Sequence, residues 1–110
     1  MPTFITYGSF SNEGCKGLIA KPEDRAVALK PMFDAVGATI QNIYFTTGSN
    51  DVIVISEAPD GTDTVTLGMV VAASGAMSSI ETVRAWTSAE FVEIAQRAGS
   101  IASSYSPPGS

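Results

Sequence analysis

The residues that could do chemistry are carboxylates, phenols and one guanidinium, set in strand-like segments. Asp51 and Glu57 flank the apolar run VIVIS, and Arg84 lies within IETVRAW. A carboxylate in an apolar cleft can act as a general acid or base, a phenol can donate a hydrogen bond, and a guanidinium can stabilise a developing oxyanion. The candidate catalytic residues are therefore Asp51, Glu57, Arg84 and Tyr44, and the candidate ligand-binding residues are Tyr7, Thr82 and Trp86.

Each candidate also has a purely structural explanation. Buried or interfacial aromatic residues are more common than aromatic site residues, which applies to Tyr7, Tyr44 and Trp86. Glu81 is a further carboxylate, and it and Arg84 could simply pair with neighbouring charges. Asp51 follows Gly48 in the turn TTGSND, where a carboxylate can accept backbone N–H bonds and lock a hairpin. The structural role and a role at the mouth of a cleft both remain open, and the structural one is favoured.

The chain contains no histidine and a single cysteine, Cys15. Without histidine, Ser-His-Asp and Cys-His catalysis are excluded, as are histidine-ligated zinc, iron and haem. A single cysteine can form neither an intrachain disulfide nor a metal cluster, and we interpret it as a small hydrophobic residue. We therefore predict no metal and no cofactor, although a tyrosine-ligated haem is not ruled out.

Composition limits the possible partners. The net charge is −5, the charged fraction is 15%, and the six basic residues form no cluster. Nucleic acid and anionic membrane surfaces both need a basic footprint, so neither is a predicted partner. No secretion signal or membrane span is recognised, and a cytoplasmic location is the default expectation. A charged share near 25% is usual, which suggests that a partner covers part of this surface.

The elements that would position these residues follow from periodicity and capping signals. We predict strands at 3–10, 38–45, 52–58 and 80–86, a helix from Pro22 to Val36 interrupted by Pro31, and a helix at 62–77. Thr87 and Glu90 form a capping-box pattern that begins a helix ending at Gly99, with its apolar stripe facing inward. The order is ferredoxin-like β-α-β-β-α-β with a C-terminal helix, an α+β domain over 1–99 with a polar tail over 100–110.

The apolar strands predict a homodimer. Four successive residues from Val52 to Ile55 are apolar, so both faces of the sheet need cover, whereas helices are available for one face only. A second copy packed sheet to sheet through a two-fold axis would cover the other. Tyr44, Thr82, Arg84 and Trp86 could line a cleft between the two sheets.

Three stretches resemble a known family. TFITYGSFSNEG, IQNIYFTTGSNDVIVISEAPD and ETVRAWTSAEF are similar to the GYD-domain proteins, small proteins of the dimeric α/β-barrel type. The resemblance spans about residues 2–98. Gly48 and Asp51 match the ends of the motif that names the family, while Asn50 stands where its tyrosine is expected. Relatives of this barrel include cofactor-free oxygenases, isomerases, dehalogenase-like enzymes and haem-handling proteins.

Two classes of function are open at this point. One is a dimer that binds a small, partly aromatic molecule in the barrel and converts it, if at all, without a cofactor. The other is a non-catalytic regulatory or assembly module that forms oligomers through its sheet. A cleft that holds at least one buried carboxylate or tyrosine with few protein partners would favour the first, and a cleft filled by its own side chains would favour the second.

Overall fold

The computed structural model describes residues 1–110 and contains four strands and four helices. In chain order they are β1 (Thr3–Phe10), α1 (Asn12–Ala20), α2 (Arg25–Ala35), β2 (Thr39–Phe45), β3 (Val52–Glu57), α3 (Gly61–Ala73), β4 (Met77–Ala85) and α4 (Ser88–Ile101), followed by a short 3₁₀ helix, Ala102–Ser104. All strand pairs are antiparallel and the sheet order is β2-β3-β1-β4. The predicted ferredoxin-like α+β fold is confirmed.

Strand β3 shows why the sheet has two different faces. Val52, Val54 and Ser56 are buried beneath the helices, whereas the residues between them are only partly buried. Because side chains alternate across a strand, the pairing registers extend this division to the whole sheet. The core therefore lies on one face only, formed by Phe4, Phe33, Ala38, Val52, Val54, Ala58 and Leu67.

The other face, named the open face here, has no buried residue. It is formed by Thr3, Ile5, Tyr7 and Ser9 of β1, Thr39, Asn42 and Tyr44 of β2, Ile53, Ile55 and Glu57 of β3, and Ser79, Glu81, Val83 and Ala85 of β4. Tyr44 and Val83 are 54% and 38% exposed. Strand β3 thus has apolar residues on both faces. The helices of the same chain cover only one of these faces.

Helix α2 differs from the prediction at Pro31, where the sequence predicted that the helix is interrupted. The helix runs without a break from Arg25 to Ala35 with the proline inside it. Pro31 is exposed, so the carbonyl group of Val27 that loses its helical hydrogen bond can be solvated instead. Gly37 follows the helix with φ of 71°, a conformation that commonly terminates helices.

The boundary between α3 and β4 also differs from prediction. The helix ends at Ala73 rather than Met77, because Gly75 adopts φ of 77° just after the C-cap residue Ser74. Strand β4 consequently begins at Met77, three residues before the predicted start. The helix predicted at 62–77 includes Gly75, whose positive φ ends the helix instead.

Helix α4 begins as predicted, with both hydrogen bonds of the Thr87–Glu90 capping box present. It passes through Gly99 and ends at Ile101, beyond the predicted end. The expectation that its apolar stripe faces inward is wrong for the single chain, because every residue of α4 is exposed. None of the helices has both the length and the apolar character needed to cross a bilayer.

Candidate functional site

The open face brings two of the predicted tyrosines into one row. Tyr44, Ile53, Tyr7 and Glu81 are successive cross-strand neighbours across all four strands. With neighbouring strands about 4.8 Å apart, the Tyr7 and Tyr44 backbones are about 10 Å apart, with Ile53 between them. Two phenols that flank an aliphatic side chain form a surface suited to a flat apolar molecule with polar edges.

The adjoining row on the open face is almost entirely apolar. Asn42, Ile55, Ile5 and Val83 are successive neighbours, with the amide at one edge of the sheet. Together the two rows form a surface that water covers in the single chain. Burying one such aliphatic side chain contributes about 1.5–3 kcal/mol, so a few of them suffice to drive association.

Glu57 lies on the open face at the rim of this surface. The Gln41 side-chain amide donates to its carboxylate, and the N-terminal amino group of Met1 lies 3.8 Å from it. A carboxylate with two such neighbours is held in place, which suits the recognition of a donor on a ligand. The open face contains two carboxylates, those of Glu57 and Glu81, and no lysine or arginine among its strand residues.

Asp51 occupies the turn between β2 and β3, where it joins that turn to the end of β1. Its carboxylate accepts a hydrogen bond from the Phe10 backbone N–H at 2.9 Å. Its own N–H donates to the Gly8 carbonyl, and its carbonyl accepts from the Thr46 N–H, both at 2.8 Å. The geometry supports the structural explanation of this residue, because the side chain satisfies a backbone donor.

Thr82 and Arg84 lie on the helix-bearing side of β4, away from Tyr7 and Tyr44, and Trp86 follows the end of the strand. Thr82 is paired in register with Thr6, and their hydroxyl groups are 2.8 Å apart. The Arg84 guanidinium lies 4.6 Å from the Trp86 ring centroid. The structure therefore does not bring the seven predicted site residues together in one cleft, and their individual functional roles stay predictions.

Arg84 has a structural setting of its own. It donates to the carbonyl groups of Thr3 and Ala85, and its guanidinium lies 5.8 Å from the Phe4 ring centroid. A guanidinium that is stacked between rings and bound to backbone carbonyls fixes the end of β4 against β1.

A cavity that the sequence did not predict opens on the helix-bearing side of the sheet. We name it the helix cleft: a space of about 280 Å³ between α2 and α3, with Thr6, Gly8, Val52 and Val54 at its floor. It exists because α2 lies over β2 and α3 lies over β4, at opposite edges of the sheet. The separation of two helices is a tertiary property, so periodicity along the chain carries no signal for it.

Gly8 is the one floor residue whose type hints at close packing. A Cβ atom at this position would collide with the Met77 side chain and approach Val52 Cγ1 to 3.2 Å. Glycine within a strand often marks such a close approach. No group of three or more His, Cys, Asp or Glu side chains in the structure is placed to hold a metal ion.

Comparison with known proteins identifies a family and a solved structure that is similar to this chain. The model of the GYD domain matches residues 4–95. The crystal structure of FFRP-DM1 is similar to this chain at 18% sequence identity with a TM-score of 0.48, over 78% of this chain and 100% of that one. No curated protein matches the chain.

Proposed function

Since this chain belongs to the GYD-domain family, as the match over residues 4–95 shows, we propose that it is a homodimer that binds a small, partly aromatic organic molecule between two open faces. The observation that carries this proposal is the open face itself: an apolar surface that no element of the chain covers, with two phenols in one row. A flat apolar face pairs most simply with its own copy through a two-fold axis.

The chemistry of the open face narrows the ligand. Ile5, Ile53 and Ile55 supply apolar contact, while Tyr7 and Tyr44 supply ring faces and hydroxyl groups. Because the charged groups on this face are carboxylates, a neutral or cationic molecule is favoured over an anionic one. Arg84 lies on the other side of the sheet and is not part of this proposed site, so its role towards a developing oxyanion stays a separate prediction.

Native mass spectrometry of the purified protein tests the proposal. We expect a mass of two chains together with a retained small molecule, because the apolar surface stays buried in the dimer. Tyr7→Ala and Tyr44→Ala should lose the small molecule, whereas Tyr105→Ala, a control at an exposed tyrosine outside the sheet, should keep it. A monomer without any adduct would contradict both parts of the proposal.

One observation favours the alternative of an assembly module. Helix α4 is amphipathic and fully exposed, which is typical of a segment that contacts another chain. Assembly would be favoured over ligand binding if all of the protein is dimeric and retains no small molecule. In that case Tyr7→Phe should change neither the mass nor the melting temperature of the dimer.

A further inference from the structure

The helix cleft is an apolar groove between two helices of similar length. Leu29 and Met32 of α2 form one wall, and Leu67 and Val71 of α3 form the other. Helix α3 carries no charged residue after Asp63, and its outward Met69 is 69% exposed. A helix with apolar residues on all sides is normally buried, so part of the α3 surface lacks a covering element in the single chain.

Helix α4 is a helix without a neighbour. Every residue from Trp86 to Ser110 is exposed, and Phe91 and Ile101 are 56% and 62% exposed. One side of the helix is nonetheless apolar, since residues spaced three and four apart share a face. This side, named the α4 stripe, consists of Phe91, Ile94, Ala95, Ala98 and Ile101.

The junction between β4 and α4 holds the helix away from its own domain. Only Trp86 and Thr87 separate the two elements. The Arg84 guanidinium stacks on Trp86 and binds the Ala85 carbonyl, while Thr87 and Glu90 cap the first turn. A short junction with contacts at both ends restricts the direction of α4, which favours a partner for the α4 stripe from another chain.

The dimensions of the chain agree with a projecting arm. The radius of gyration is 17.8 Å and the longest extent is 59 Å, whereas a compact chain of this length has a radius of gyration of about 13 Å. The accessible surface is 7468 Å², compared with about 5,800 Å² for a compact monomer of this mass. The excess, about 1,700 Å², is twice the roughly 800 Å² that each partner contributes to a standard interface.

We propose that α4 of each chain lies in the helix cleft of a second copy, with the α4 stripe against α2 and α3. The lengths match: α4 has 14 residues and α3 has 13, or about 20 Å each. The surfaces match as well, because the α4 stripe is uncharged and Arg25 is the only charged residue that lines the cleft. The cleft is complete only when the second copy supplies its third helix.

This contact is separate from the proposed pairing of open faces, because it involves the opposite side of the sheet. It predicts which residues of two chains meet, and a ligand between the sheets is not required for it. The two proposals can therefore fail independently, one in the retention of a small molecule and the other in the proximity of α4 to α3.

Disulfide trapping between two different chains tests the contact. In a Cys15→Ser background, Gly68→Cys is placed on α3, where an added Cβ meets no atom within 4 Å, and Ala98→Cys is placed on the α4 stripe of a second, mass-tagged chain. After the two variants are unfolded, mixed and refolded together, oxidation should give a disulfide-linked heterodimer. Neither chain alone contains both thiols, so this product can form only between chains.

Gln96→Cys provides the matched control, because Gln96 lies on the side of α4 opposite the stripe. We expect at least tenfold less heterodimer from Gly68→Cys with Gln96→Cys than from Gly68→Cys with Ala98→Cys, with circular dichroism verifying that all variants fold. Equal yields from the two pairs would overturn the proposal. A chain carrying both Gly68→Cys and Ala98→Cys that forms its disulfide within one chain would overturn it too, since α4 would then occupy its own cleft.

Discussion

Asp51 acts at the scale of a single hydrogen bond between segments that are distant in the chain. Its carboxylate accepts from the Phe10 N–H at the end of β1, 41 residues away in sequence. Asp51→Ala should therefore lower the free energy of unfolding by about 1–3 kcal/mol, because a partly buried backbone donor loses its charged acceptor. Thermal denaturation followed by circular dichroism measures the change.

Ser49→Ala is a suitable comparison for Asp51→Ala. It changes an exposed residue of the same turn but leaves in place the Ser49 backbone carbonyl to which the Ser9 hydroxyl donates. If Asp51→Ala melts like the wild-type protein but retains no small molecule in native mass spectrometry, the functional role of this carboxylate would replace the structural one.

The roles of individual residues were only partly predictable from the sequence. The turn chemistry of Gly48 and Asp51 was visible, since glycine tolerates the positive φ of 97° that the turn requires. The partner of Asp51 was not, because Phe10 comes near only when β1 pairs with β3. Likewise, the sequence could not assign Tyr44 and Thr82 to opposite faces, since register within the sheet decides where each side chain points.

At the scale of the element, strand β3 predicts opposite outcomes for two adjacent substitutions. Val54 is buried beneath the helices, so Val54→Asp should cost about 3–5 kcal/mol and unfold much of the protein. Ile55 lies on the open face, so Ile55→Asp should leave the fold intact and weaken the dimer, which then depends on the α4 contact alone. Circular dichroism separates folded from unfolded protein, and analytical ultracentrifugation gives the mass.

The informative comparison is between these neighbours in one strand. If Ile55→Asp dissociates over the same concentration range as the wild-type protein, the open face is not an interface, whatever the effect of Val54→Asp. If Val54→Asp folds normally, the assignment of the two faces would be reversed.

The beginning of α4 predicts a pH dependence. Hydrogen bonds from the Thr87 backbone and side chain hold the pKa of Glu90 below its usual value of 4.5, with a smaller contribution from Arg84. A lowered pKa means that the ionised cap stabilises the helix fully above pH 4.5 and that this stabilisation is lost as the pH falls through the lowered pKa. The first turn of α4 should therefore fray on acidification.

Trp86, the only tryptophan, is next to this turn and serves as the fluorescent reporter. Glu90→Gln keeps a side chain able to accept from the Thr87 N–H but removes the titration. We expect the wild-type emission to change between pH 4.5 and lower values, and that of Glu90→Gln to change less. Identical titration curves would show that Glu90 does not control the helix end.

Elements with strong local signals were predicted best. The β1 strand has its predicted bounds, and the capping box placed the start of α4, because both signals are local. The end of α3 and the continuity of α2 were missed because they depend on what surrounds them. Solvent around Pro31 lets α2 continue through the proline, and the terminating conformation of Gly75 ends α3 before its apolar pattern ends.

At the scale of the whole molecule, three apolar surfaces of one short chain lack partners: the open face, the helix cleft and the α4 stripe. The low charged fraction of 15% already predicted an excess of apolar surface. The location of this apolar surface was not predictable, since the same composition is compatible with one large interface or with two separate ones. The positions of α2, α3 and α4 relative to the sheet decide this, and they are set by packing rather than by local propensity.

A chain that completes its core only with a second copy should melt at a temperature that depends on its concentration. Folded dimer and unfolded monomers are then linked by mass action, so a higher concentration stabilises the native state. For a chain of this size, each tenfold increase should raise the melting temperature by about 3 °C. Differential scanning calorimetry over a hundredfold range measures the slope, and Ile55→Asp should reduce it, because this substitution removes the pairing of open faces while leaving the α4 contact in place. A melting temperature of the wild-type protein that does not change with concentration would mean that the single chain, with its projecting helix, is stable alone.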